Sequence, residues 1–536
     1  MDRRELLLSA LLAGVTTACA FGGDDGGGTR APTDRRDGRG VEAAKPRAAD
    51  LAPSAFPLGV ASGDPLADRV MLWTRVFPAP GSATAPVEVA FDVATDEEFE
   101  HLVASGLAEA TADLAHSLHV DVTGLEPDTW YFYRFRAGGQ TSATARTRTF
   151  PAAGTDVDRF DFVFSTCQDF QWGQYAAWSH VASESDLDAV VFLGDYIYEM
   201  NFGDMSPDKS GARVWATPEA TTLAHYRARY EQVRGDASLR AAHHRAPWII
   251  TFDDHEVSDN YAGDVGGSDI EEPNSRDRRL AAYQAWYEHV PVRLAQPPAG
   301  SSPEDFDVLA VHRGFRFGSL ASLLVIETRQ HADPPACRTT TGYLADQGPL
   351  CSAADVPNRS NLGEAQERWL FEQLEHVDAR WNILANPVML ADMNIGTPEA
   401  PQYYRDMWIG YPAARERLLA KFVEAKVPNP VTITGDWHAS FVLDVQRDPH
   451  GPTPTTVMPE FLVTAISSIV FAQDHRASNP QIRYFEALNG YAKATVTRAA
   501  FECTFCHLAD VWDPQSPISS RSTWRLADGE KVPVES

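Results

Sequence analysis

A layered α/β fold preceded by a small all-β domain is what three features of this sequence predict. From about residue 158 onward, short apolar runs alternate with segments of helical spacing, the pattern of buried strands and covering helices taken in turn. Between residues 55 and 150, apolar and polar side chains alternate with the period of half-buried strands. The chain has 536 residues, more than one core usually organises, so at least two domains are expected.

The elements follow in order. Residues 1–30 read as an export signal. Arg3-Arg4 precedes the apolar run Leu6 to Val15, which is too short to span a bilayer, and the arginine pair followed by Leu6-Leu7 fits a twin-arginine signal. A chain so marked is expected outside the cytoplasm as a periplasmic, secreted or membrane-anchored protein, and no transmembrane helix is expected. Cys19 follows Thr17-Ala18 and is a candidate lipid anchor, although no leucine stands three positions before it. Residues 31–54 are rich in Gly, Asp, Arg, Ala and Pro and read as a disordered linker.

In the small domain over 55–150, the runs 87–93, 119–122 and 131–135 read as strands. Leu125-Glu126-Pro127 leading into Tyr131 resembles the tyrosine corner of immunoglobulin-like and fibronectin-like sandwiches, so a fibronectin-like domain is expected. No cysteine pair is present there, which excludes an antibody-type core. The larger domain is expected over 158–510, with buried strands at 160–164, 189–193, 248–252, 322–326, 381–385, 431–434 and 461–465, and helices at 361–378 and 413–425. Residues 511–536 are expected to form a tail, either wrapped on the surface or loose.

Composition narrows the function. A formal net charge of -28 and a pI near 4.9 argue against a nucleic-acid-binding patch, which needs a basic surface. A phosphate ester meeting so acidic a chain needs local positive charge, and bound metal ions would supply it. Neither a G-x-S-x-G elbow nor a Walker A motif occurs. Of the six cysteines, Cys337 and Cys351 flank a turn-rich loop and are expected to form a disulfide in an exported chain. Cys503-x-x-Cys506 is a weaker disulfide candidate. It lacks the second pair of a structural zinc site and the βαβ context of a redox motif. Cys167 is left over for chemistry.

The strongest signal is positional. Four buried strands run into metal-liganding residue types: Ser165-Thr166-Cys167, Gly194-Asp195-Tyr196-Ile197-Tyr198-Glu199, Asp253-Asp254-His255-Glu256 and Gly435-Asp436-Trp437-His438. Ligands gather beyond the carboxyl ends of strands in α/β sheets, so these distant segments are expected to converge. Gly194-Asp195-x-x-Tyr198, Asp254-His255-Glu256 and Gly435-Asp436-x-His438 resemble the ordered motifs of purple acid phosphatases and metallophosphoesterases. Together with Cys167-Gln168 and the stretch Phe56 to Pro65, they resemble the alkaline phosphatase D family over roughly residues 55–500. The resemblance implies a metallophosphoesterase-like β-sandwich flanked by helices, an alkaline phosphatase or phosphodiesterase activity, and iron plus calcium as cofactors.

The residues carry their own argument. Cys167 thiolate, Tyr198 phenolate and His438 imidazole suit a redox-capable transition metal, most naturally Fe3+. Asp195 stands where a carboxylate would bridge two ions. Asp254 and Asp436 occupy positions that carry Asn and His in the related enzymes, and Asn386 stands where another His would be expected. The second site is therefore rich in oxygen and favours Ca2+. His255 is the expected general acid. Arg329 is a weak candidate for holding a phosphate oxygen, and His243-His244 is expected at the surface. The expected substrate is a small-molecule phosphate ester. A phospholipase D acting on phospholipid diesters is the nearest alternative, and a non-catalytic metal-dependent binder is the alternative of another class.

Overall fold

The computed structural model describes residues 41–201, 213–265, 276–295, 309–338 and 346–536. Two mixed sheets stack face to face, one of 11 strands and one of 7. The first contains Arg159–Gln168, Ala189–Phe192 and Trp248–Ile250 as parallel neighbours. The second contains Ala321–Val325, Trp381–Ala385 and Pro430–Thr434, also parallel. All seven buried runs expected from the sequence fall on strands of these two sheets.

Both faces of each sheet are covered, which is why these strands read as continuous apolar runs. Phe160, Phe162, Phe164, Val191 and Ile249 point from the first sheet into the core between the sheets. There they meet Leu323, Val325, Ile383 and Val431 from the second. The alternate residues Val163, Val190, Phe192 and Ile250 point outward, under the helices Leu223–Arg234, Ala237–His243 and Arg276–His289. The other outer face is covered by Gly363–Glu375 and Pro412–Glu424, whose Leu370, Leu374, Leu418 and Phe422 recur at helical spacing.

The small N-terminal domain is a sandwich with its own core of Val70, Leu72, Val120 and Val122 against Val89, Phe91, Val93 and Tyr133. Its tyrosine corner is formed: the Tyr131 hydroxyl accepts the Glu126 N–H at 2.9 Å. It is joined to the larger domain by more than the segment 149–158. Its strand Val60–Gly63 lies beside Trp248–Ile250, with Gly63 paired to Trp248, so the 11-stranded sheet runs through both domains. Only glycine fits at that seam, because a Cβ on Gly63 would lie 2.0 Å from the Pro291 carbonyl oxygen and 2.7 Å from that of Trp248.

Three local expectations are corrected. Within the expected linker, residues 41–54 lie against the sandwich: Ala44 N–H donates to Ser105 Oγ at 2.8 Å, and Leu51 packs at the edge of its core. The tail supplies the strand Ile518–Ala527, which pairs with Ala500–Leu508 and buries Trp524 and Leu526. Cys503 and Cys506 are both free and buried. They share one strand at an odd spacing, so they point to opposite faces, Cys503 into the inter-sheet core and Cys506 under the helices.

Cys337 and Cys351 do form a disulfide, closing a loop across a sequence separation of 14. The expected signal region and Cys19 lie outside the described residues. Among the described residues, no helix is long and apolar enough to cross a membrane.

The seam between the domains is locked by Asp64, which is buried. Its carboxylate accepts the Arg293 N–H at 2.6 Å and pairs with the Arg313 guanidinium at 3.0 Å. Asp64→Ala leaves Arg313 without its carboxylate and is expected to cost about 3 kcal/mol, read by denaturant unfolding. Turnover of a small ester by the folded fraction is expected to stay within about tenfold, about 1.4 kcal/mol of barrier.

Candidate metal centre

The parallel register places the carboxyl ends of three adjacent strands level with one another: Phe192 pairs with Ser165 on one side and with Ile250 on the other. Cys167 is the penultimate residue of the first strand, and Asp195, Asp253 and Asp254 follow the ends of the other two. The fourth contribution comes from the other sheet, where Asp436 and His438 follow Pro430–Thr434. Two glycines let the segments close up. A Cβ on Gly194 would lie 2.6 Å from the Asp253 N atom, and one on Gly435 would lie 2.7 Å from the Thr166 side chain across the sheets.

The backbone bends sharply at these points. Cys167, Asp195, Asp436 and His438 have φ of 53°, 60°, 67° and 56°, the left-handed region that L-residues avoid at roughly 1–2 kcal/mol each. Four of the expected ligand positions thus carry strained backbone in one place, the kind of outlier that accompanies functional sites. Buried glutamates hold the bends. Glu256 accepts the N–H groups of Asp195, Tyr196 and Asp253 at 3.1, 2.6 and 2.9 Å. In the second sheet Glu460 accepts the Thr434 hydroxyl at 2.5 Å, just before Gly435-Asp436, and the N–H groups of Leu390 and Ala391 at 2.9 and 2.6 Å.

The donor atoms converge. Asp195 Oδ2 lies 3.4 Å from Cys167 Sγ and 3.0 Å from the Tyr198 hydroxyl, which lies 3.2 Å from His438 Nε2. Cys167, Asp195 and His438 each place a ligand atom within 4.8 Å of the others. So do Asp195, Asp254 and His255, and so do Asp253, Asp254 and Asp436. Asp195 and Asp254 thus link the groups. All seven residues singled out in the sequence are therefore brought together.

Electrostatics test whether this cluster suits a cation. Burial, reinforced by Asp195 and Asp436, pushes the Cys167 thiol well up. Burial and neighbouring carboxylates likewise raise Asp195 and Asp436 well above the usual range. Burial raises the Tyr198 phenol as well. These groups cannot all be anionic in so small a dry space without a compensating cation. Asp254 Oδ1 is buried with no hydrogen-bond donor, and its nearest cationic partner, Arg329, stands 4.0 Å away. Burial pushes the His438 imidazole down to about 4, leaving it in the neutral form that ligates metals. The donor set thus fits a cation pair, with a thiol, a phenol and an imidazole on one side and carboxylates on the other.

His255 is poised differently. Burial alone would favour its neutral form, but Asp254, Glu199 and Asp195 outweigh it and hold its pKa well above the ordinary value. Its Nδ1 lies 2.7 Å from Glu199 Oε2, and its ring stacks on Tyr198 at 4.1 Å.

Other candidates are placed elsewhere. The Arg329 guanidinium is spent on Asp253, at 2.5 and 3.3 Å, and on Asp406 at 3.4 Å, so it supports the carboxylates from behind. His243 is buried rather than at the surface, its Nε2 2.7 Å from the Tyr196 hydroxyl and its ring stacked on Trp248 at 3.8 Å. Asn386 turns its amide to Val388 and Trp408. Glu199 and Glu256, which orient the site, stood inside the motifs but carried no role in the sequence reading. Asp169, Asp259 and Asp406, which also line the cavity, had no flanking signal.

The cluster floors an open cavity of about 330 Å³. Residues 162–505 match the PhoD-like phosphatase family, and residues 42–151 match the PhoD-like phosphatase N-terminal domain. Over 481 residues the chain is 39% identical to alkaline phosphatase D of Bacillus subtilis (strain 168), spanning 88% of this chain and 80% of that protein. A solved structure of PhoD is 38% identical, with a TM-score of 0.81 over 90% of this chain and 93% of that one.

The close approach at Gly194 is testable. Gly194 has φ 118° and no room for a Cβ, whereas Gly529 has φ 81° and open space around it. Gly194→Ala is expected to cost about 3 kcal/mol, from backbone strain and overpacking together, and Gly529→Ala about 1 kcal/mol from strain alone. Denaturant unfolding of the two variants side by side measures the difference.

Proposed function

The chain belongs to the PhoD-like phosphatase family and is a phosphoric ester hydrolase, and from that premise we propose that it works through an iron and calcium centre held by Cys167, Asp195, Tyr198, Asp254, Asp436 and His438. The observation that carries the reading is the buried convergence of those donors from both sheets. Cys167, Tyr198, His438 and Asp195 would hold Fe3+, whose high charge favours the anionic thiolate, phenolate and carboxylate. Asp254 and Asp436, with Asp195, would hold Ca2+, a hard cation that prefers oxygen. Asp253 is not needed as a ligand, because Arg329 already engages its carboxylate.

Bound there, two cations would neutralise the phosphoryl charge and lower the pKa of a water molecule. The chain itself supplies orientation and a proton. Protonated His255 donates from Nδ1 to Glu199 and keeps a second proton on Nε2 for the departing alkoxide. Stacking on Tyr198 fixes the plane of the ring. The buried glutamates keep the ligand loops in place while charge develops at phosphorus.

Export through residues 1–30 by a twin-arginine signal is part of the same proposal. Its support is the Cys337–Cys351 disulfide, which persists in an oxidising compartment.

The metal-loaded protein is expected to be coloured, because phenolate and thiolate bound to ferric iron absorb visible light. His438→Ala is expected to lose iron and colour together. Asp254→Asn is expected to keep the colour while its calcium affinity falls at least about tenfold, about 1.4 kcal/mol. Absorption spectra and calcium titrations of the two variants separate the sites. Chelation is expected to abolish activity, and calcium to restore it while iron stays bound. A colourless protein fully active with zinc alone overturns the assignment.

A further inference from the structure

The cavity over the centre has two unlike linings. Asp169, Asp195, Asp254, Asp259, Asp406 and Asp436 surround its polar part, and among the described residues no lysine or arginine lines it. The nearest guanidinium, Arg329, is buried behind Asp253 and Asp406. The rest is largely apolar, with Trp172, Met200, Met407, Ile469 and Phe471. Ile469 is 43% exposed, and Trp172, Met200 and Phe471 are half-buried, so the apolar wall stands open to solvent beside the ligands. Phe471 lies parallel to the His438 ring at 5.3 Å, which ties the wall directly to the centre.

We propose that this wall, with Trp172 and Phe471 as its principal members, is the specificity-determining surface, and that it takes an aromatic or alkyl arm of the ester. The proposal rests on the hydrolase reading of the same site. An arm bearing a carboxylate or a further phosphate meets Asp169, Asp259 and Asp406 beside the centre, and among the described lining residues its one cationic side chain, His255, is already engaged by Glu199. An apolar arm instead packs against the exposed Ile469 and the half-buried Phe471 and Met200. Open apolar surface rimming a polar centre is the usual form of a site that orients a ligand by its apolar part. Methionine at two positions lets the wall adapt to arms of different shape.

The size of the effect follows from how such pockets discriminate. A single methylene placed in an apolar pocket changes kcat/KM by about 10-fold or more. A phenyl arm is therefore expected to be favoured over a methyl arm by at least about tenfold.

The test uses the metal-loaded enzyme and a series of p-nitrophenyl phosphodiesters that differ only in the second arm: methyl, hexyl, phenyl and carboxymethyl. In the wild type, kcat/KM is expected to rise from methyl to hexyl and phenyl and to fall for carboxymethyl. Trp172→Ala and Phe471→Ala are each expected to bring the phenyl-to-methyl ratio down to about threefold or less, while Phe471→Leu retains most of it. Ile469→Asp, at an exposed position, is expected to lower the ratio too. Each ratio is taken within one protein, so it does not depend on the amount of folded enzyme. A wild-type ratio near one, or a ratio unchanged in the three wall-removing variants, overturns the proposal. Turnover of p-nitrophenyl phosphate with none of the diester series also overturns the proposal, whereas failure to turn over p-nitrophenyl phosphate and every diester with both metals present overturns the hydrolase reading instead.

Discussion

Five acidic groups that would repel one another as anions share one buried space: the thiol of Cys167, the phenol of Tyr198 and the carboxylates of Asp195, Asp254 and Asp436. Much of the surrounding architecture answers that constraint. Cys167 is the penultimate residue of its strand, and Asp195, Tyr198, Asp254 and Asp436 stand on the short segments that leave the carboxyl ends of theirs. Left-handed backbone at Cys167, Asp195 and Asp436 turns the side chains inward at a cost of roughly 1–2 kcal/mol each. That cost is sustainable because the supporting shell is over-determined. One carboxylate, Glu256, collects three N–H groups from two loops, and Arg329 neutralises the acids behind the ligands. A cation added to this arrangement meets donors already in place, so little reorganisation accompanies its binding.

The stacking of the sheets is the second half of the same design. Ligands from a single sheet would lie along one edge. Here a second sheet brings Asp436 and His438 against the first, and the contact between Gly435 and Thr166 sets how closely the two edges meet. The phenylalanines of Arg159–Gln168 fill the space between the sheets, so the spacing at the site is inherited from core packing rather than from any loop.

Much of this was legible in the sequence, for reasons that particular residues make clear. Strands such as Ala189–Phe192 were visible because both faces are covered and no polar residue interrupts them. The candidate ligands were visible because metal-liganding residue types cluster at or soon after the carboxyl ends of those strands. What escaped was information that lies in partnership rather than in type. Arg329 looks the same in sequence whether it faces a substrate or Asp253. His243 next to His244 looks like a surface pair until Tyr196 and Trp248 enclose it. Cys503-x-x-Cys506 invites a bridge until strand geometry sends the two thiols to opposite faces. The seam at Gly63 escaped for another reason: pairing between strands 185 positions apart leaves no local trace.

That seam has a consequence for how the molecule came to be one piece. Because Val60–Gly63 lies directly against Trp248–Ile250, the small domain completes the sheet of the large one. A chain begun after residue 151 would leave the Trp248–Ile250 edge bare, with apolar side chains and unpaired amides turned to water. Such an edge recruits other chains. The small domain therefore acts as a built-in guard against self-association.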